Sequence, residues 1–337
     1  MHLKALALAL LVERGSGQAM PMMRFQCSQL VVDRLDPLVN PGLVPSPHLH
    51  QIVGGNSFNA SMNPETHDLP SASTCTSCSF SEDFSNYWTA VLYFRARNGT
   101  YKRVPQFVSE GLRADGGITV YYIPSPTANE KVTAFKPGFR MLVGDATARS
   151  QVANARKVCH RCMPATGDKS NINCGAPDSQ FLPKEMCPGG IRSVITFPTC
   201  WDGKNTDSVD HMSHVAYPVS SYSDVSVGAY GTCPSSHPVK IPQVMYEVMW
   251  NTQMFNDKSI WPEDGSQPFG YSQHGDYVFG WKGDSLQRAM DARCNGAVCG
   301  QLETQSSESA MKCTKSKTVQ EDIDGWLTEI PGMAMTE

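Results

Sequence analysis

The chain has 337 residues, a formal net charge of −4, and 18% charged against 40% hydrophobic side chains. With no basic run, it lacks the electrostatic footprint that nucleic acid or an anionic membrane surface would require of a partner. Its length is ample for burying a core, as one large β domain or two small ones.

At the amino end, Met1-His2-Leu3-Lys4 precedes the apolar run Ala5 to Val12 and the small-residue exit Gly17-Gln18-Ala19. This is the layout of a secretory signal peptide over residues 1–19. Glu13 and Arg14 are unusual inside such a signal, so a wrongly assigned start is the alternative. The run is too short to span a bilayer, and no later segment reads as a transmembrane helix. The expected setting is therefore secreted, extracellular or cell-wall. Twelve cysteines follow, an even number that reads there as a disulfide set. Cys75-Thr76-Ser77-Cys78 and Cys159-His160-Arg161-Cys162 have zinc-knuckle or redox spacing, but those readings are mainly intracellular. Asn59-Ala60-Ser61 and Asn98-Gly99-Thr100 are sequons of a glycoprotein.

Ser46 to Gly55 is the first extended stretch, and it places His48 and His50 on one face, because residues two apart in a strand point the same way. Pro64 to Ser81 is a polar loop broken by Pro and Cys. From Tyr87 to Arg97, Trp88, Ala90, Leu92 and Phe94 alternate with a second face; Asn98-Gly99 then supplies a hairpin turn, and Thr100 to Val108 returns. Further strands are expected at Gly117 to Ile123, Phe139 to Val143, Ile191 to Phe197, Gln243 to Asn251 and Asp276 to Trp281. Helical spacing is confined to a segment near Ala148 to Val158 and to Ser285 to Arg293, where Asp284 can cap the start and Leu286, Ala289 and Met290 share a face. Gly167 to Gly190 is a second long loop. The pattern predicts a mainly β chain: an antiparallel sandwich or jelly-roll-like domain over residues 20–300, with long disulfide-stapled loops, one or two short helices, and a loosely packed tail over residues 301–337.

The segment from Phe25 to Gly42, running on into Ser46-Pro47-His48-Leu49-His50-Gln51-Ile52-Val53-Gly54-Gly55-Asn56, resembles a family of secreted fungal proteins, the domain of unknown function numbered nineteen-ninety-six. Cys200-Trp201-Asp202-Gly203, Asp210 to Pro218, Cys233 to Pro238 and Gly275 to Trp281 fit the same family in order. The resemblance covers roughly residues 25 to 300 and implies secretion and a cell-wall setting. It carries no reaction.

The remaining histidines cluster in Asp210-His211-Met212-Ser213-His214, in Cys233-Pro234-Ser235-Ser236-His237 and in His274-Gly275-Asp276. Convergence with His48 and His50 would make a polar cleft. Three chemistries suit it. Hydrolysis of a glycosidic bond needs two facing carboxyls; Glu247, flanked on its face by Met245 and Met249, suits a general acid, with Asp202, Asp210 or Asp276 as partner, while a solvated Glu on an edge strand is the plainer reading. A lyase would use His48, His50, Gln51 and Tyr217 to take a proton beside a uronate. A divalent metal would be held by His48, His50 and one of His211, His214 or His237, with Asp210 orienting a ligand. A copper histidine brace is disfavoured, since cleavage after Ala19 leaves Met20 at the terminus. No other cofactor is expected.

The resulting expectation is a carbohydrate-active protein that cleaves or binds cell-wall polysaccharide. His48, His50, Asp210, His211, His214, His237, Glu247 and Asp276 are the candidate catalytic groups, and Gln51, Trp201, Asp202, Tyr217 and His274 the candidate substrate contacts. Trp250, Trp261 and Trp281 could stack on sugars or fill the core, and Trp88 belongs to the core. The alternative is a non-catalytic, disulfide-rich wall or adhesion module with structural or weakly metal-binding histidines.

Overall fold

The computed structural model describes residues 21–107, 116–125, 130–150, 157–166, 174–219, 231–262 and 270–333. The signal segment and most of the helix expected near Ala148 to Val158 lie outside these residues. In chain order the strands are β1 (Met23–Cys27), β2 (Val31–Asp33), β3 (His50–Gly54), β4 (Asn86–Ala90), β5 (Tyr93–Arg95), β6 (Tyr101–Arg103), β7 (Ile118–Ile123) and β8 (Arg140–Gly144). They continue with β9 (Val158–Cys162), β10 (Ile191–Thr196), β11 (Cys200–Trp201), β12 (Val215–Ala216), β13 (Val239–Lys240), β14 (Gln243–Trp250), β15 (His274–Val278) and β16 (Trp326–Leu327). The short helices are α1 (Leu69–Ala72), α2 (Ser285–Asp291) and α3 (Ser307–Lys312).

Two five-stranded antiparallel sheets dominate, in the orders β1-β7-β14-β10-β9 and β2-β3-β4-β15-β8. They face each other across a core that includes Phe25, Val120, Tyr122, Ile195 and Tyr246 from the first sheet and Val53, Tyr87, Met141 and Tyr277 from the second. Gly275 of β15 packs directly against the first sheet. A Cβ there would stand 3.0 Å from Ile195 and 3.2 Å from Tyr246, so any larger residue would push the layers apart. The expected sandwich is thus the observed fold.

The second sheet is buried on both faces. Its outer face carries Val31, Ile52, Trp88 and Val278 beneath Leu30, Leu35, Leu38, Phe58 and Met62, a separate apolar cluster. Alternation puts His50, His274 and Asp276 on that same outer face, because the pairings Ile52↔Trp88 and Trp88↔Asp276 fix the register across β3, β4 and β15.

The hairpin at Asn98-Gly99 forms as expected, with Arg95 opposite Tyr101 and Gly99 at φ +85°. Its first strand is shorter than the alternation suggests. The chain leaves the second sheet after Ala90 and starts β5 in a small sheet with β6 and β16, so the apolar face from Trp88 to Phe94 serves two sheets. In α2, Leu286, Ala289 and Met290 are buried as their spacing predicts, while Asp284 forms an ion pair with Arg288 and makes no side-chain cap bond.

All twelve cysteines are paired, as Cys27–Cys78, Cys75–Cys313, Cys159–Cys174, Cys162–Cys187, Cys200–Cys233 and Cys294–Cys299. Neither Cys-x-x-Cys motif pairs internally; each staples a loop to a strand or to the tail. An oxidising, extracellular setting sustains such a set. Among the described residues, no helix is long and apolar enough to cross a membrane. The described part of the segment after Gly300 is tied at several points: Cys313 to Cys75, the Thr318 and Val319 amides to Asp33 (2.6 and 3.2 Å), Glu321 to Arg34 (2.7 Å), and β16 to β6.

A polar chain runs through the centre of the sandwich. Asp83, fully buried, accepts from the Tyr87 hydroxyl (2.6 Å) and the Ser85 amide (3.0 Å), and Tyr87, Tyr122 and Tyr277 continue hydroxyl to hydroxyl at 2.9 Å each. Burial pushes the Asp83 carboxyl up to about 7, against hydrogen bonds from Tyr87 and Ser85 that favour the ionised form. A carboxyl raised on folding contributes stability that is complete below its unfolded value and is lost as pH rises through the folded one. Wild type is therefore expected to lose on the order of 4 kcal/mol relative to Asp83→Asn between pH 4 and pH 8. Paired urea titrations across that range measure the difference, and parallel curves would refute the assignment.

Candidate metal centre

Three imidazoles meet over the outer face of the second sheet. His50 opens β3 and His274 opens β15, while His48 lies just before β3, held by the Ser46 hydroxyl on its carbonyl (3.0 Å). His274 is the middle member: its Nε2 is 3.0 Å from His48 Nε2 and 3.0 Å from His50 Nε2. His50 and His274 are sealed from solvent, at 0% and 1% exposure, and His48 alone is partly open.

The proton inventory makes this arrangement unusual. His50 Nδ1 lies 3.0 Å from the Leu35 carbonyl and His274 Nδ1 lies 2.8 Å from the Ser272 carbonyl. Carbonyls only accept, so both rings carry their hydrogen on Nδ1 and turn bare Nε2 lone pairs toward each other. Burial is the main force keeping all three rings neutral, holding them below the usual histidine value; mutual proximity adds to it at His48 and His50, and the Leu35 and Ser272 carbonyls oppose it. Two bare nitrogens at 3.0 Å repel unless a cation sits between them. A metal–nitrogen bond of about 2.1 Å would set neighbouring ligand nitrogens about 3.0–3.4 Å apart in octahedral or tetrahedral coordination, which these spacings match.

Two carboxyls complete the surroundings. Asp36, 1% exposed, uses Oδ1 to accept from the Leu38 and Val39 amides (3.1 and 3.0 Å), and the turn so fixed brings the Leu35 carbonyl to His50. Asp276 follows His274 by two residues, so both side chains leave the same face of β15, with Oδ2 3.7 Å from His274 Nε2.

The other expected site residues go elsewhere. His211, His214 and His237 belong to a separate loop cluster in which each ring is already engaged: His211 with Asp207 (2.6 Å), His214 with the Ser208 hydroxyl (2.8 Å) and the Arg140 carbonyl (2.9 Å), and His237 with the Ser213 carbonyl (3.0 Å). The third imidazole beside His48 and His50 is therefore His274, where the sequence offered only His211, His214 or His237. Asp210 ties that loop through the Ser213 and Met212 amides and the Ser208 hydroxyl, and these bonds outweigh its slight burial to hold its carboxyl below the usual range. Asp202 folds its own turn in the same way, on the Lys204 and Asn205 amides.

Glu247 lies on the outer face of the first sheet. There it accepts from Tyr121 (2.7 Å) and faces Arg24 (3.8 Å) and Arg192 (3.7 Å), an ion-paired carboxylate on a central strand, with neither the apolar nor the solvated surroundings its flanks suggested. Gln51 points inward, opposite to His50, and accepts from Gln106 (2.6 Å). Trp201 is buried, its indole nitrogen donating to the Asn205 carbonyl (2.6 Å); Trp88, Trp250 and Trp281 are also core. Tyr217 donates to the Thr196 carbonyl (2.6 Å) and walls a pocket of about 350 Å³ with Lys157, Gly144 and Gln273, whose lining includes none of the three histidines. Of the residues expected to share one cleft, the fold thus gathers four: His48, His50, His274 and Asp276.

Asp36 and the Leu35 and Ser272 carbonyls were not anticipated. The repeated pattern His-x-His and His-x-Asp is the signal that could have linked the two histidine-bearing segments.

Residues 36–281 match the family model for the domain of unknown function DUF1996, and the chain belongs to that family. No curated protein and no solved structure matches it. The matched stretch opens at Asp36 and takes in all three histidines and Asp276.

Proposed function

We propose that this is an extracellular metalloprotein in which His48, His50 and His274 hold a divalent transition ion, and that the centre cleaves cell-wall polysaccharide. The observation that supports the reading is the pair of inward lone pairs on His50 and His274, fixed by the Leu35 and Ser272 carbonyls. Imidazole ligands with carbonyl-held Nδ1 hydrogens are a usual arrangement around zinc and similar ions. Such an ion supplies Lewis acidity and an acidified water. The partly open edge of His48 is the side from which a polymer would approach. The substrate class rests on the extracellular setting, since Trp88, Trp201, Trp250 and Trp281 are buried, Trp261 is half-buried, and the exposed Trp326 belongs to the small sheet with β6.

The test is direct. Purified protein, dialysed against chelator and then loaded with Zn²⁺ or Mn²⁺, is incubated with fungal and plant glucans, mannans and uronans. The expected result is one ion per chain and release of oligosaccharides that stops on chelation. Metal binding with co-sedimentation but no release would replace cleavage by the non-catalytic wall module. No bound metal at all would overturn the reading.

A further inference from the structure

We infer that Asp276 is the fourth protein ligand, so that the centre is a three-histidine, one-carboxylate site selective for a divalent ion; this rests on the metal reading above and deepens it. Asp276 is 0% exposed, and neither carboxyl oxygen has a hydrogen-bond partner. An orphaned buried carboxyl is costly, and native folds normally pair or coordinate such a group. A structural role would have left it with donors, as it left Asp33, Asp202 and Asp210 with backbone amides. Its Oδ2 instead stands 3.7 Å from the nitrogen shared by the other two imidazoles, beyond hydrogen-bond length yet suited to a shared ion.

Charge points the same way. Asp36 lies close enough to act electrostatically on His48, His274 and Asp276, and its Oδ2 is also unpartnered. A divalent ion among the imidazoles would have two carboxyl groups, Asp276 and Asp36, beside it to offset its charge. Asp36 stays in its turn, holding Leu38 and Val39, and acts from a distance; Asp276, with both oxygens available, takes the coordination position. Neutral nitrogen with one hard oxygen suits Zn²⁺, Fe²⁺ or Mn²⁺ better than Cu⁺.

The experiment uses Co²⁺ as a spectroscopic probe with full-length wild type, Asp276→Asn and Asp276→Ser, each titrated with metal and melted with and without it. If Asp276 is a ligand, both variants bind Co²⁺ about a hundredfold more weakly or worse. The visible absorption of any bound Co²⁺ changes in energy and intensity. The melting temperature of the metal-free variants stays level or rises, because an orphaned carboxyl has been removed. Unchanged affinity and spectrum would overturn the inference while leaving the three-histidine centre intact. Destabilisation of both metal-free variants would also overturn it, by showing that Asp276 serves the fold. Wild type that binds no Co²⁺ would instead sink the reading on which the inference rests.

Discussion

His274→Ala is expected to abolish metal binding. The ring stands between the other two, within 3.0 Å of both, so its loss leaves His48 and His50 without the nitrogen that organises them. Wild type bathed in ion at about a hundred times its dissociation constant should gain about 2.7 kcal/mol, a shift of about 4 °C for a chain this size. The variant should show no shift, and metal analysis after dialysis should find none. His237→Ala is the matched control: its ring serves the Ser213 carbonyl in another loop, so its metal-dependent shift should equal that of wild type. Equal losses in both variants would mean that the two clusters act as one, against the geometry.

The second large effect concerns the tail. Cys75 and Cys313 are joined across 238 residues of sequence, whereas Cys294 and Cys299 are joined across 5. If cross-links act chiefly by restricting the unfolded chain, removing the first should cost about 5 kcal/mol and removing the second about 2. Packing widens the gap. Cys313 belongs with Leu30, Phe58 and Met62 to the apolar cluster that packs on the outer face of the second sheet, so its release loosens that packing as well. Guanidinium unfolding of the two double-serine variants gives the comparison. A cost for Cys75→Ser/Cys313→Ser no larger than that for the short loop would show that the other ties of the tail suffice.

Much of the sandwich was legible because period-two patterning survives in Ile118–Ile123, Ile191–Thr196 and Gln243–Trp250, and because Asn98-Gly99 allows few conformations other than a tight turn. The faces were harder to assign. Both faces of the second sheet are buried, so alternation in β3 and β15 separates two cores and not a core from solvent. On the first sheet, Glu247 between two methionines left a desolvated acid and a solvated edge-strand Glu both open, because the approach of Arg24, Arg192 and Tyr121 from other strands is not visible in local sequence.

The candidate cluster was only partly visible in the sequence. The rings of His48 and His50 do lie together, as their spacing suggested, although His48 sits before β3 and not in it. Which distant histidine joins them depends on β3, β4 and β15 lying side by side, a non-local register set by Ile52, Trp88 and Asp276. His211, His214 and His237 looked equally eligible. What disqualifies them is that carbonyls, hydroxyls and Asp207 already satisfy their rings, and that accounting needs coordinates.

The imidazoles of the centre come from places 226 residues apart in sequence, near the two ends of the described chain. An ion shared by them would act as a seventh fastener beside the six cystines, and a different kind of one. Cystines yield to reductants; this link would yield to chelation and dilution. The rigidity of the folded chain would then follow the trace-element content of its surroundings, firm where the ion is abundant and slack where a competitor strips it away.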